Sequence, residues 1–325
     1  MLLLSSAELK QILTIQDVIK VVEAAFLELA ELDTKSPKRT ILELPEYNGS
    51  MLFMPAYLQR LKSLSLKVVG FYPENTKRGL PTISSILCLI DPETGAPQAV
   101  MDGKHITAMR TAAMTALASE RLARRSIESI GVIGAGVQAE YQLKAILEIR
   151  DAETLYIYDI SSDKSRVFAG KALEEFGLRA KIEESADDVA GKSDILIVAT
   201  TSKQPVFKGE SLIEGAHIAS IGWVGAEGRE LDTTTVKRSK VVVDTKEGVL
   251  AESGDILIPI REGAITADHI WCELKELVSH RKKGRESDKE ITLWKSVGVG
   301  VADAAAAKLA YEKAKEHHIG LSVEI

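Results

Sequence analysis

The segment GVIGAGVQA, residues 131–139, constrains the fold of this chain more than any other feature. It contains Gly134-x-Gly136-x-x-Ala139, a pattern typical of the turn between a buried strand and a dinucleotide-binding helix. Gly134 permits the tight turn, Gly136 lets the backbone approach a pyrophosphate, and Ala139 keeps the helix close to the strand. The positive end of the helix dipole attracts the phosphates.

The residues around this pattern support the same interpretation. An apolar strand precedes it, a helix is predicted over residues 138–149, and the next strand ends in Asp159. An acid about 20 residues after the glycines is expected to bind the adenosine ribose hydroxyls. The alternative is that Asp159 caps a helix. A carboxylate repels a 2′-phosphate, so NAD(H) is favoured, while the nearby Lys164 and Arg166 leave NADP(H) open.

The order of predicted elements divides the chain into two kinds of structure. From residue 129 onwards, short apolar runs alternate with helices, which predicts a doubly wound parallel sheet of the Rossmann type. Before it, two capped helices and a succession of strands predict an antiparallel or mixed sheet. An alanine-rich helix over residues 301–315 is expected to pack on this N-terminal part. The predicted strands before residue 100 cover residues 40–44, 50–54, 65–71 and 82–90.

Composition excludes several classes of function. The net charge of −6 and the absence of a basic stripe argue against a nucleic-acid partner. Two cysteines, Cys88 and Cys272, do not indicate a disulfide framework. The apolar residues 1–4 are too short for a signal peptide or a membrane span, so a cytoplasmic protein without membrane contact is expected. The histidines lack metal-ligand spacing, and no metal is expected.

Further motifs flank the glycine pattern: MPAY (54–57), KVVGFY (67–72), GLPT (79–82), AVMDG (99–103), ITAMRTAA (106–113), RELD (229–232), ESGD (252–255) and KSVG (295–298). In this order and register, the set resembles the ornithine cyclodeaminase/mu-crystallin family over nearly the whole chain. The resemblance implies an α/β fold in which a Rossmann domain is joined to an α+β domain for substrate binding and dimerisation. The predicted boundaries are residues 1–118 with 302–325 for the second domain, and 119–301 for the Rossmann domain.

The resemblance also implies a homodimer, and a substrate pocket between the two domains. Lys67 and Arg110 are similar in motif position to the partners of the substrate carboxylate and imine, and Asp303 to a catalytic acid. Val297 is expected to contact the substrate. The implied cofactor contacts, in addition to Gly134 and Gly136, are Thr82, Arg110, Val137, Gln138, Asp159, Thr201, Ile221, Gly222 and Ser296.

The residues themselves are compatible with these roles. Lys67 lies in an apolar strand, where a lysine is costly unless it is paired, and burial would lower its pKa and suit proton donation to an imine. Burial of Asp303 among alanines is expected to raise its pKa and make it a proton donor. Arg110 suits bidentate carboxylate binding. The alternatives are an exposed strand lysine, a helix N-terminal acid and a structural ion pair, respectively.

Two departures from the family pattern bear on the reaction. Val224 stands where ornithine cyclodeaminases carry an aspartate. Leu52 stands where they and archaeal-type alanine dehydrogenases carry an arginine. Ketimine reductases of the mu-crystallin type lack both. We therefore expect NAD(P)H-dependent reduction of a small, cyclic α-imino acid such as pyrroline-2-carboxylate or piperideine-2-carboxylate. The alternatives are alanine dehydrogenation, then ornithine cyclodeamination, and a non-catalytic, crystallin-like binder of nucleotides or metabolites.

Overall fold

The computed structural model describes residues 1–32 and 34–324. Two compact units make up the chain: residues 1–111 with 299–325, and residues 112–298. The sequence predicts domain boundaries at 118/119 and 301/302, whereas these units divide at 111/112 and 298/299. The first of these divisions falls inside a single long helix, residues 103–122.

The N-terminal segment begins with two helices whose first turns are closed by side chains. Ser5 and Glu8 form a capping box before the first helix, and the hydroxyl of Thr14 accepts a hydrogen bond from Asp17 N–H at the start of the second. The elements are β1 (Leu2–Leu4), α1 (Ser6–Ile12), α2 (Ile15–Glu31), β2 (Thr40–Leu44), β3 (Gly49–Leu58), β4 (Ser63–Phe71), β5 (Ile83–Ile90), β6 (Pro97–Asp102) and α3 (Gly103–Leu122).

From Ser129 onwards, strands alternate with helices. The elements are β7 (Ser129–Ile133), α4 (Val137–Leu147), β8 (Thr154–Tyr158), α5 (Ser162–Phe176), β9 (Arg179–Ile182), α6 (Ala186–Ala190), β10 (Ile195–Val198), β11 (His217–Ser220), α7 (Thr233–Arg238), β12 (Ser239–Val243), α8 (Lys246–Glu252), α9 (Gly254–Arg261), β13 (Ile270–Glu273), α10 (Leu274–Val278), β14 (Ile291–Lys295), α11 (Gly300–Glu316) and β15 (Leu321–Ser322). Among the helices of the described residues, none has the length and apolar composition needed to cross a membrane.

The first unit contains a mixed seven-stranded sheet in the order β15-β1-β6-β5-β4-β3-β2. Neighbouring strands are antiparallel except for the parallel pair β1 and β6. Helix α11 packs on β3, β4 and β5 and against α2, as predicted for the final helix. The alanines of α11 allow this close approach, since Ala302, Ala306 and Ala310 are fully buried. The helix therefore covers one face of the sheet.

The second unit is built on an eight-stranded sheet in the order β13-β12-β14-β11-β10-β7-β8-β9, and all its pairs are parallel. From β7 the chain winds first towards β9 and then, beginning with β10, in the opposite direction. Apolar clusters cover both faces of the sheet. The order reverses between β7 and β10, and in open parallel sheets ligands bind beyond the carboxyl ends of the strands at such a point. The predicted fold class is confirmed.

Six strands were not identified from the sequence. They are β1, β6, β9, β13, β14 and β15, each of six residues or fewer. The edge strand β9 has no apolar run and lies mostly at the surface. In contrast, β14 is fully buried, but it follows directly on the charged segment 280–290 and ends in Lys295. Its place between β11 and β12 depends on pairing with strands that lie far away in the sequence.

Candidate active site

Lys67 is buried at the centre of the first unit. It lies on β4 between Met54 of β3 and Leu87 of β5, and directly paired residues of adjacent strands share one face of a sheet. That face is the one covered by α11, and Lys67 is only 2% exposed. Its ammonium lies 2.8 Å from Asp303 Oδ2. The alternative of an exposed strand lysine is therefore excluded.

Asp303 pairs with a second cation, Arg110, in addition to Lys67. The carboxylate lies in the first turn of α11, is fully buried, and accepts a hydrogen bond of 2.9 Å from Nε of Arg110. Arg110 comes from α3 and is 4% exposed. Its Nη1 is buried without a hydrogen-bond partner among the described residues. The cluster thus holds two cations and one anion, and it has a guanidinium N–H available for a further acceptor.

The ionisation of this cluster differs from the sequence-based prediction in one respect. Burial lowers the pKa of Lys67 to about 8, with Arg110 and Arg39 adding to the effect and Asp303 opposing it. Burial acts to raise the pKa of Asp303, but the charges of Arg110 and Lys67 outweigh it and hold that pKa below its usual value. The prediction that Asp303 is a neutral proton donor is therefore wrong. Asp303 is an ionised carboxylate, and Lys67 is the group that can donate a proton near neutral pH.

Arg39 was not identified from the sequence as a site residue. It immediately precedes β2, and Ile41 of β2 pairs with Leu52 of β3. The alternation of β2 and β3 places Arg39 and Leu52 on the face of the sheet that carries Lys67. Its charge also contributes to the lowered pKa of Lys67. The face of the sheet on which Arg39 lies depends on the register between β2 and β3, and only the tertiary structure decides that register.

The glycine pattern forms the turn between β7 and α4 in the second unit. Gly134 adopts a φ of +92°, and a Cβ at this position would lie 2.7 Å from the Ala199 carbonyl oxygen. Gly136 precedes α4 and is exposed, and a Cβ there would have no atom of the described residues within 4 Å. Ala139 is fully buried against the sheet. Both glycines therefore have the properties that the pattern requires, with open space at the helix N-terminus for a pyrophosphate.

Asp159 follows β8 and lies beside this turn. Its carboxylate accepts hydrogen bonds from Ala135 N–H at 2.9 Å and from Ser161 N–H at 2.8 Å. Ser161, rather than Asp159, caps α5. Arg166 is one of the two basic residues expected near a 2′-phosphate. It forms an ion pair of 2.6 Å with Asp163. Asp159 therefore links the glycine turn to the loop before α5, and its carboxylate lies next to the glycine turn.

Four predicted cofactor contacts follow three neighbouring strands. Thr201 is exposed on the loop after β10, Ile221 and Gly222 follow β11, and Ser296 follows β14. The hydroxyl of Ser296 donates a hydrogen bond of 2.8 Å to Asp244. In a parallel sheet, these carboxyl ends lie at the same edge as the glycine turn after β7.

The other predicted contacts are more dispersed. Val137 is exposed in the first turn of α4, and the side-chain oxygen of Gln138 is buried without a hydrogen-bond partner among the described residues. Val297 is buried, and its N–H donates to Asp244. Thr82 belongs to the first unit, where its carbonyl accepts a hydrogen bond from Tyr72 N–H. The roles of all these residues in binding stay predictions.

Fold and site together define an α/β protein with a Rossmann unit and a second unit that buries a Lys–Asp–Arg cluster. The model of the ornithine cyclodeaminase/mu-crystallin family matches residues 1–318. The chain belongs to this family, and the resemblance that its motifs indicate is confirmed.

Three relatives are similar over essentially their whole length. The structure of Thermococcus litoralis Δ1-pyrroline-2-carboxylate reductase in complex with NADH and L-proline is 52% identical, with a TM-score of 0.97, and the match covers 99% of this chain and 100% of that one. A Δ1-pyrroline-2-carboxylate reductase of Bacillus cereus is 37% identical over all of both chains. An archaeal alanine dehydrogenase dimer with bound NAD is 33% identical, with a TM-score of 0.94, and the match covers 100% of this chain and 99% of that one.

Proposed function

We propose that this protein is an NADH-dependent reductase of Δ1-pyrroline-2-carboxylate or of a closely related cyclic α-imino acid. The observation that carries the proposal is the buried cluster of Lys67, Asp303 and Arg110. In it, the lysine pKa is about 8 and one guanidinium N–H has no partner among the described residues. The relative at 52% identity was solved with NADH and L-proline, and L-proline is the product of reducing pyrroline-2-carboxylate. The relative at 37% identity carries the same name.

The cluster is suited to bind the carboxylate of such a substrate. Lys67 and Arg110 carry two positive charges against one negative charge on Asp303, so an added carboxylate neutralises the cluster. The Nη1 of Arg110 supplies a buried donor that has no acceptor among the described residues. A charge-assisted hydrogen bond to a carboxylate satisfies that donor and fixes the orientation of the substrate.

The same cluster also provides the proton. Reduction of C=N to CH–NH adds a hydride, which bound NADH supplies, to carbon and a proton to nitrogen. Lys67 donates this proton, or holds it on the imine nitrogen, because its pKa of about 8 leaves it mostly protonated at neutral pH yet able to release a proton. Asp303 stays ionised, and it orients both cations and opposes the loss of the Lys67 proton.

The Rossmann unit has the features needed to hold the dinucleotide. The open space at Gly136 and the N–H groups in the first turn of α4 suit a pyrophosphate. Asp159 suits the adenosine ribose hydroxyls and disfavours a 2′-phosphate, which supports NAD(H) over NADP(H). Thr201, Gly222 and Ser296 lie at the same edge of the sheet, and further contacts to the cofactor are assigned to them.

Alanine dehydrogenation is the second candidate, because the same groups serve it and an alanine dehydrogenase is 33% identical. Leu52 is evidence against alanine dehydrogenation, because archaeal-type alanine dehydrogenases carry an arginine at this position, on the same face of the sheet as Lys67. Ornithine cyclodeamination is less supported, since Val224 is 40% exposed and offers no base at the position of the cyclodeaminase aspartate. A crystallin-like binder without activity would have no use for a buried lysine of lowered pKa.

A homodimer through the uncovered face of the mixed sheet completes the proposal. Phe53, Val68 and Ile86 are directly paired across β3, β4 and β5, on the face opposite Lys67. Phe53 and Val68 are half-buried, and Ile86 is 49% exposed. Apolar side chains in a row on an open sheet are typical of a surface that pairs with a second copy. The archaeal alanine dehydrogenase relative is a dimer.

The test is to follow oxidation of NADH and NADPH by the purified protein with pyrroline-2-carboxylate, piperideine-2-carboxylate, and pyruvate with and without ammonia. We expect turnover of a cyclic imine with NADH and without ammonia. Lys67→Ala should abolish this turnover and retain NADH binding, whereas Lys20→Ala on the exposed side of α2 should change neither. Turnover of pyruvate only with ammonia would establish the alanine dehydrogenase instead, and full activity of Lys67→Ala would exclude the role of Lys67.

A further inference from the structure

A second buried cluster of charges lies in the Rossmann unit and has no part in the proposed chemistry. Glu230, Asp255 and Lys295 are all fully buried. Lys295 Nζ lies 2.7 Å from Asp255 Oδ2. The three residues belong to the motifs RELD, ESGD and KSVG, which lie apart from one another in the sequence. Burial of two carboxylates and one ammonium costs free energy unless these groups are paired and hydrogen-bonded.

Glu230 connects two loops with a single carboxylate. Its Oε1 accepts hydrogen bonds from Thr200 N–H and from the Thr200 hydroxyl, both at 2.7 Å. Its Oε2 accepts a hydrogen bond from Trp223 N–H, also at 2.7 Å. Thr200 follows β10, and Trp223 follows β11. The carboxylate therefore joins the loop that carries Thr201 to the loop that carries Ile221 and Gly222.

The remaining members of the cluster hold Glu230 in place. Asp255 Oδ1 accepts hydrogen bonds of 2.8 Å from the N–H groups of Glu230 and Leu231. Lys295, the last residue of β14, donates to Ser220 Oγ at 3.2 Å and to the Trp223 carbonyl at 3.1 Å. The ends of β10, β11 and β14 are thus connected through three buried ionisable side chains.

The two loops approach so closely that only glycine fits between them. A Cβ on Gly222 would lie 2.4 Å from Glu230 Oε1 and 2.3 Å from the Thr200 carbonyl oxygen. These contacts are with backbone and with a carboxylate that is itself held by three hydrogen bonds, so they cannot relax easily. Gly222 on one loop therefore packs directly against Thr200 of the other loop and against the Glu230 carboxylate that joins them.

From these contacts, we propose that Glu230 is a positioning residue that sets the affinity of the Rossmann unit for NADH by clamping the loops 199–202 and 221–223. The proposal rests on the proposed function, because Thr201 and Gly222 on these loops are assigned there to the cofactor. All three groups that contact Glu230 donate to it, so the clamp needs the ionised carboxylate. Burial raises the pKa of Glu230 to about 7, with Asp255 adding to the effect and Lys295 opposing it.

The informative variant is Glu230→Gln, which keeps the shape and loses one acceptor. Its amide oxygen can accept from Thr200 or from Trp223, but its NH2 group then faces the N–H of the other loop. A buried donor without an acceptor moves or solvates the loop that carries it. We expect the dissociation constant for NADH to rise about tenfold or more, since hydrogen bonds to charged acceptors are among the stronger ones.

The experiment measures NADH binding by fluorescence titration of the whole protein, together with thermal unfolding and steady-state kinetics. Glu230→Gln should raise the dissociation constant and the KM for NADH about tenfold, while the KM for the imine and kcat at saturating NADH change less than about threefold. The matched control is Glu227→Gln, which loses the same charge three positions earlier at an exposed side chain and should behave as wild type.

A second variant covers the case in which Glu230→Gln does not fold. Thr200→Val removes the hydroxyl that donates to Glu230 and that also accepts a hydrogen bond of 3.0 Å from Ser202 N–H in the same loop. It should weaken NADH binding by about threefold. Unchanged NADH affinity in either folded variant overturns the proposal. A fall in kcat together with equal rises in the KM for NADH and the KM for the imine also overturns it, because such a uniform effect indicates a merely structural role. If the wild-type protein itself does not bind NADH, the proposed function fails and this inference fails with it. If the wild-type protein binds NADH and the folded variants bind it equally well, only the role of Glu230 fails.

Discussion

Replacement of Asp303 by asparagine tests the division of roles within the cluster. The carboxylate lies 2.8 Å from the Lys67 ammonium, and it opposes the lowering of the Lys67 pKa by burial and by Arg110. Two unit charges at that distance interact by about 6 kcal/mol at an effective dielectric constant of about 20. An adjacent opposite charge shifts a pKa by about 1 to 3 units in practice. In Asp303→Asn, the pKa of Lys67 should therefore fall below its value of about 8.

The consequence for activity follows from the protonated fraction of Lys67. The ammonium is the active form, so activity is present below the pKa and is lost as the pH rises through it. With a pKa of about 8, roughly 90% of Lys67 is protonated at pH 7. After a fall of about 2 units, roughly 10% remains protonated. At pH 7, kcat/KM for the imine should then fall about tenfold, and most of this loss should disappear near pH 5.5.

The assay is the pH profile of kcat/KM for the imine at saturating NADH, compared between wild type, Asp303→Asn and the exposed control Asp151→Asn. Circular dichroism and thermal unfolding establish that the variants are folded, since loss of one partner of a buried ion pair costs about 3–5 kcal/mol. An unchanged alkaline limb, or a loss of activity that is equal at every pH, would refute the reasoning. Either result would mean that Asp303 does not govern the protonation of Lys67.

Three further predictions concern the cofactor, the assembly and the stability of the fold. Gly136→Val fills the open space before α4 and should weaken NADH binding at least about tenfold in a titration, with unfolding temperature retained. Ile86→Glu places a charge on the proposed dimer face and should give monomers in sedimentation, whereas a monomeric wild type would disprove that interface. Burial lowers the pKa of His217 to about 3, so the unfolded chain binds a proton first as the pH falls below about 6.5. Stability should therefore decrease by about 1.4 kcal/mol per pH unit between these values, and denaturant unfolding of His217→Asn should lack this contribution.

Local signals account for what could be predicted about the Rossmann unit. The conformation of Gly134 and the opening of α4 depend on residues that are neighbours in the chain. The same holds for the capping box of Ser5 and Glu8, which identifies the start of α1. Short strands such as β9 and β13 lack such signals, because each has only four residues and β9 has no apolar run. The family, and with it the candidate residues Lys67, Arg110 and Asp303, was recognisable from motifs.

The sequence by itself therefore determined the fold class, the glycine turn and the identity of the charged residues. Only the tertiary structure decided which face of β4 is covered, and hence that Lys67 is buried beside Asp303. It also decided that Asp303 is ionised, because two cations from other elements outweigh the effect of burial on its pKa. The clamp by Glu230 arises in the same way. Charges interact through space, and the distances between residues remote in sequence exist only once the chain has folded.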